Sequence, residues 1–226
     1  MDRRLAPGRS TDRLVNCAGA PYDVAVNIDP KTDITGLILA GGRGSRMGGV
    51  DKGLQPYQGL PLVRHALNRL APQVHSLMIN ANRNLMEYAA LGVPVWPDEL
   101  PDFPGPLAGM VAGLRHCPTP YLATVPCDTP LFPLDLVARL AAGLVQNSAD
   151  MATAYTRAGD QLFPQPVFCL MKVSLLDRLR EFILSGERKT GAWARSQHNA
   201  PVSFEEEAAF MNINTLAELE SKPSPR

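Results

Sequence analysis

The feature that most narrows the folds open to this chain is a short apolar run, Ile34 to Ala40, that passes straight into a glycine-crowded loop, LAGGRGSRMGGVDK over residues 39–52. A run so short and so apolar suits a strand covered on both faces, as in a parallel sheet. Gly41, Gly42, Gly44, Gly48 and Gly49 carry no Cβ, so the backbone among them can fold tightly and turn its N–H groups toward an anion. Arg43, Arg46 and Lys52 add positive charge to the same stretch. A strand that empties into such a loop is a way to hold phosphate.

Two familiar phosphate loops are excluded by spacing. The P-loop needs Gly-Lys-Ser/Thr, whereas Lys52 stands between Asp51 and Gly53. The dinucleotide fingerprint, counted from Gly42 and Gly44, meets Met47 where its last glycine belongs. Taken alone, the glycines fit a turn carrying solvated arginines equally well; Lys52 tips the reading toward phosphate.

Downstream, apolar runs and amphipathic segments take turns. Strands are predicted over Ser76–Asn80, Val93–Trp96 and Tyr121–Val125, with helices over Pro61–Leu70, Leu85–Leu91, Leu107–Arg115 and Pro133–Val145. Parallel strands need a crossover between them, usually a helix, so this alternation predicts an α/β fold with a mostly parallel central sheet. Ligands of such sheets sit at the strands' C-terminal ends. The second half is less regular, with strands expected over Met151–Tyr155, Val167–Leu170 and Phe210–Ile213 and a helix over Val173–Leu184.

One domain is expected over residues 34–221, preceded by a flexible extension, residues 1–33, and followed by a frayed tail, residues 222–226. Lys+Arg and Asp+Glu balance at 22 each, so no broad basic field exists for a nucleic-acid backbone or an anionic membrane. An anionic ligand must be held locally. No apolar run approaches the ~20 residues of a membrane-spanning helix, and no apolar stretch follows Arg3, Arg4 and Arg9 as in a secretory signal. Cys17, Cys117, Cys127 and Cys169 form neither a CxxC pair nor a zinc pattern, which fits a reducing compartment. A cytoplasmic location is expected.

A second feature stands after the Tyr121–Val125 strand, in Pro126-Cys127-Asp128-Thr129-Pro130. Mg²⁺ takes one or two carboxylates and completes its octahedron with water and phosphate oxygens, so Asp128 at a strand's C-terminal end is the first candidate for a metal ligand. An Asp that merely starts a turn is the alternative. Cys127 fits a small buried hydrophobe.

Leu39-Ala40-Gly41-Gly42, followed by Arg46-Met47-Gly48-Gly49-Val50-Asp51-Lys52, resembles the signature of the molybdenum cofactor guanylyltransferases. The likeness runs from about Ile34 to Glu220. It implies a three-layer Rossmann-like nucleotidyltransferase fold, Mg²⁺ as cofactor, and transfer of GMP from GTP to molybdenum-molybdopterin. Transient contacts with molybdenum-insertion and molybdoenzyme-maturation proteins are also implied.

Carried over residue by residue, the resemblance assigns GTP to Leu39, Ala40, Gly41, Gly42, Lys52, Asn80, Asp98, Gly105, Gly109 and Asp128. Lys52, Asp128 and Arg46 are the catalytic candidates. Arg188, Asn212 and Asn214 fall on the molybdopterin side. Asn80 would face guanine or ribose, and Asp98 could accept from the N1 and N2 donors of guanine, which cytosine does not present; both also suit ordinary loop caps. Gly105-Pro106-Leu107-Ala108-Gly109 opens a helix whose first amides could approach base or phosphate. The chain departs from the family at Leu216, where proline is usual, and at Phe163-Pro164, where His-Pro is usual.

Under this reading the terminal phosphate of molybdopterin attacks the α-phosphorus of GTP and expels pyrophosphate. Three alternatives stay open. A cytidylyltransferase for the same pterin typically reads LAAG and Asp-Gln-Pro, where this chain has Gly41 and Thr129. A sugar-phosphate nucleotidyltransferase would share the loop, and a GTP-binding carrier or sensor would bind without turnover.

Overall fold

In the computed structural model, residues 27–42, 50–100, 105–159 and 161–213 are described. Ile28 is buried and Asp29 caps a short helix, α1 (Pro30–Asp33), by accepting from the Lys31 amide. Residues just ahead of Ile34 are thus tied to the domain, through the buried Ile28 and the α1 turn.

Strand β1 (Ile34–Leu39) is buried along its whole length. A small hairpin follows, β2 (Pro56–Tyr57) with β3 (Leu60–Pro61), its turn made by Gln58 and Gly59 at φ of 49° and 82°. Helix α2 (Leu62–Leu70) leads to β4 (Ser76–Asn80), α3 (Leu85–Ala89), β5 (Val95–Trp96), α4 (Pro106–His116), β6 (Tyr121–Pro126) and α5 (Leu136–Gln146). Then come β7 (Met151–Ala158), β8 (Gln161–Lys172), α6 (Leu176–Leu184), α7 (Thr190–Ser196) and β9 (Asn199–Phe204).

Seven strands form one sheet in the order β5-β4-β1-β6-β8-β7-β9. The β5, β4, β1 and β6 block is parallel throughout, β8 is antiparallel to both β6 and β7, and β9 rejoins β7 in parallel. The expected α/β architecture with a mostly parallel sheet is what the chain adopts.

Side-chain alternation along β1 builds two cores. Ile34 and Ile38 face one side with Val63, Leu67, Leu70, Leu136 and Leu140 of α2 and α5. Leu37 and Leu39 face the other with Met110, Leu114, Leu179 and Trp193 of α4, α6 and α7. Such two-sided cover is why β1 reads as an unbroken apolar run. In α2 the buried positions are Leu62, Val63, Ala66, Leu67 and Leu70, one stripe of a 3.6-residue period.

The last predicted strand is corrected. Residues 207–210 form a 3-10 turn, and Phe210 packs against Phe168 and Phe204 instead of entering a ladder. The last strand among the described residues, β9, was not foreseen because Pro201 interrupts its pattern; at the edge of the described sheet it tolerates a residue without an N–H. Strand β8 begins six residues earlier than the expected Val167, running through Pro164 and Pro166.

Candidate active site

At the C-terminal ends of β1, β4 and β6 the floor of a cavity of ≈ 310 Å³ is laid by Leu39, Ala40, Asn80 and Asp128. Ladder-like bonds continue past the strand ends. The Ala40 amide donates to Asn80 O at 2.8 Å, and the Cys127 amide donates to Leu39 O at 3.1 Å. The first residues of the glycine loop are thus held between the ends of two neighbouring strands. Arg83 spans that loop, its Nη2 donating to Gly42 O at 3.4 Å and to Val50 O at 3.3 Å.

One wall is a mesh of amides and a carboxylate. Asn80 is buried and uses Nδ2 twice, toward Trp96 O at 3.0 Å and Asp98 Oδ1 at 2.9 Å. The other carboxylate oxygen accepts from Asn82 Nδ2 at 2.7 Å, and Asn82 Oδ1 accepts from the Asp98 amide at 2.8 Å. With both its N–H groups engaged, Asn80 leaves Oδ1 as its remaining hydrogen-bonding atom. That oxygen lies so near α4 that a Cβ on Gly109 would meet it at 2.2 Å. A glycine at 109 is what lets helix and asparagine share the space.

In the middle stand Lys52 and Asp128, joined Nζ to Oδ2 at 2.6 Å although 76 positions separate them. Their side chains keep 20% and 19% of their exposure, so the pair faces the cavity without leaving the protein surface. Lys52 opens a 3-10 turn, Lys52–Leu54, capped by Asp51. Below Asp128, Ile213 donates its amide to Asp128 O at 2.9 Å, and Thr129 Oγ1 donates to Asn212 Oδ1 at 2.6 Å. Cys127 is buried beside the pair; burial first, then the nearby Asp128 and Asp51 carboxylates, push its thiol well above the usual range. A neutral thiol is a poor nucleophile.

The far wall comes from β8. Pairing with β7 jumps from Thr153↔Cys169 to Ala154↔Gln165, so Pro166, Val167 and Phe168 bulge out of the ladder. Thr124 Oγ1 catches Val167 O at 2.5 Å, and Gln165 Nε2 donates to Thr156 Oγ1 at 3.2 Å. Gln165 through Phe168 all line the cavity. Bulges re-aim side chains beside functional sites in this way.

The cavity gathers most of the predicted residues: Leu39, Ala40, Gly41, Gly42, Lys52, Asn80, Gly105, Asp128 and Asn212 line it. Asp98 stands one side chain behind, bonded to Asn80. Gly109 packs against Asn80 and does not line the cavity, and neither does Arg188, which donates to Ile183 O of α6 and to Glu187 O. Arg46 and Asn214 lie outside the described residues, as do Arg43, Gly44, Gly48 and Gly49. Sequence reasoning missed the β8 wall, whose one signal is the Pro164-Gln165-Pro166 spacing, and the surroundings of Asp51.

A parallel sheet that ends in a glycine loop, with an ammonium and a carboxylate converging on one cavity, defines a Rossmann-like nucleotidyltransferase domain. Residues 36–201 match the family model described as MobA-like NTP transferase domain, and the chain belongs to that family. The molybdenum cofactor guanylyltransferase of Bordetella petrii is 64% identical over 193 residues, spanning 85% of this chain and 98% of that protein. That of Bordetella pertussis is 61% identical over 189 residues, 84% of this chain and 96% of that one. Among solved structures, molybdopterin-guanine dinucleotide biosynthesis protein A from Archaeoglobus fulgidus shares the fold, with a TM-score of 0.64 at 22% identity over 82% of this chain and 95% of that one. No helix among the described residues is long and apolar enough to cross a membrane.

Proposed function

We propose that the protein transfers GMP from GTP to molybdenum-molybdopterin, forming the guanine dinucleotide cofactor and releasing pyrophosphate. The observation that carries the reading is the convergence of Lys52 and Asp128 in one cavity, at 2.6 Å, between an asparagine-lined wall and a glycine loop. It accords with the names of the guanylyltransferases at 61–64% identity.

The nucleophile is a phosphate oxygen that is already anionic, so the chemistry needs alignment and charge neutralisation more than proton removal. Lys52 offers its ammonium to the triphosphate. The backbone of Ala40, Gly41 and Gly42 lies against the phosphates. Asn80 takes the base, its Oδ1 accepting from a guanine N–H, and Asp98 behind it holds the asparagine in place. The bulged wall of β8, on the other side of Asp128, receives the pterin, and Asn212 lies at that side.

Asp128 suits Mg²⁺ in its donor type: a single partly exposed carboxylate is what this ion takes when phosphate oxygens and waters complete its shell. When bound there, the ion adds positive charge beside the phosphates.

Gly41 favours GTP over CTP. A Cβ at position 41 would meet Asn80 Oδ1 and Asn82 Nδ2, each at 2.9 Å, pressing on the residues that hold Asp98. An alanine here, as in the LAAG form, implies a differently arranged base wall.

Purified protein incubated with Mg²⁺, molybdenum-molybdopterin and an equimolar mixture of nucleoside triphosphates tests the reading by mass spectrometry of the pterin product. A GMP adduct is expected. A CMP adduct sinks the guanine assignment, and nucleotide transfer only to added sugar phosphates sinks the acceptor. Binding of GTP without pyrophosphate release returns the protein to the carrier or sensor class.

A further inference from the structure

An anionic residue immediately before the catalytic lysine is at first sight misplaced in a loop that must welcome a triphosphate. The carboxylate of Asp51 is, however, turned away from the cavity and surrounded by donors. Tyr88 Oη donates to Asp51 Oδ1 at 2.6 Å, the Gly53 amide donates to the same oxygen at 3.2 Å, and Asn84 Nδ2 donates to Oδ2 at 2.9 Å. Tyr88 sits on α3, fully buried, and Asn84 caps that helix at φ 50°. Gly53 makes room for the arrangement: a Cβ there would meet Tyr88 Oη at 2.4 Å and Cys127 Sγ at 3.3 Å.

The backbone at Asp51 is extended, with φ −73° and ψ 108°. Neighbouring side chains in extended backbone leave in opposite directions. Pinning residue 51 to α3 therefore commits residue 52 to the other side, which is the side of Asp128. Burial, the nearby Cys127 and the bond to Asp51 push the phenol of Tyr88 up, so it stays an O–H donor throughout any working pH.

We propose that Tyr88, acting through Asp51, is a positioning residue that aims Lys52 into the cavity. Neither Tyr88 nor Asp51 lines the cavity, so the pair acts on the orientation of the ammonium and not by touching substrate. This role deepens the guanylyltransferase reading and rests on Lys52 being catalytic. Misorientation of one charged group costs rate at constant ground-state binding, because the transition state demands the tighter alignment.

The test is Tyr88→Phe, which keeps the ring that fills the core, with Asn84→Gly beside it, since glycine accepts the positive φ and removes only the amide. Steady-state pyrophosphate release should show kcat reduced about tenfold for Y88F and about threefold for N84G, with the KM for GTP within about twofold of the parent. Hydrogen exchange over residues 50–55, measured without substrate, should quicken in both. Lys52→Ala is assayed in parallel. If K52A keeps parental turnover, the catalytic reading of Lys52 falls and this role with it. If K52A is inactive while Y88F keeps parental kcat, the catalytic reading stands and the positioning role alone is overturned; unchanged exchange over 50–55 in Y88F overturns it equally. A KM that rises with kcat constant identifies Tyr88 as a binding or folding residue and is likewise fatal.

Discussion

The two ends of the cavity are built on different plans. On the β1–β4–β5 side nearly every polar atom is tied to another: Asn80, Asn82 and Asp98 form one mesh, and Asp51, Asn84 and Tyr88 form a second. On the β8 side the wall is a bulge of Gln165, Pro166, Val167 and Phe168, anchored chiefly by Thr124 and Thr156. A site for a base whose hydrogen-bond pattern must be told from others gains from side chains fixed in advance, because a mismatched partner leaves buried groups unpaired. The other wall has fewer fixed polar atoms and gains its shape from backbone.

The largest effect expected is at the border between the halves. Lys52→Ala or Asp128→Ala should lower turnover by ~10²-fold or more, the scale for losing a preorganised charge at a reacting phosphate, with circular dichroism unchanged. Parental turnover in either folded variant removes that residue from the chemistry. On the tied wall, Asp98→Ala should raise the KM for GTP by roughly 10- to 100-fold, matching the loss of one or two bonds to a charged group, and leave the acceptor KM alone. An equal rise in both constants would erase the division between the walls.

The remaining effects are smaller. Gly109→Ala forces a methyl against Asn80 and should cost about 1–3 kcal/mol by overpacking, read by denaturant midpoint, with GTP affinity falling alongside. Gln165→Ala should raise the acceptor KM severalfold at constant KM for GTP; the reverse pattern would place the base on β8. Least of all is Asp150 at the start of β7, whose carboxyl is held below the usual range by the hydrogen bond from Lys172. A depressed folded pKa gives stability that is present above the unfolded value, about 3.9, and lost as pH falls through the folded one. Asp150→Asn should therefore lower Tm slightly at pH 7 and progressively less as the pH falls below about 3.9, and a penalty that does not change with pH would assign the contact to packing.

The same division explains what was legible in the sequence. Strand β1 with its loop, Asn80, Asp98 and Asp128 all follow apolar runs at strand ends, where period and turn chemistry coincide, so their positions could be read without coordinates. Strand β8 carries prolines at 164 and 166, which ordinarily argue against a strand; the bulge takes up Pro166, and Pro164, opposite Tyr155 of β7, lies beyond the stretch that β6 pairs, where a missing N–H is tolerated as on an edge. Pro201 hid β9 for a related reason. Arg188, expected beside the acceptor, donates to Ile183 O of α6 and to Glu187 O just past that helix, a local use that sequence does not distinguish from a ligand contact. Tyr88 reads as one more apolar residue of a short helix, because its hydroxyl meets Asp51 only through the tertiary fold.

The parallel joint of β7 to β9 also bears on how the protein is made. From Met151 to Thr156 every residue of β7 is matched on its outer side by a residue of β9, from Asn199 to Phe204. During translation β7 leaves the ribosome well before that cover is synthesised, and meanwhile presents a row of open N–H and C=O groups that any other extended chain can join. Nascent chains cut short between α6 and β9 are thus the ones set to aggregate, whereas the finished molecule closes its rim with a strand that carries a proline.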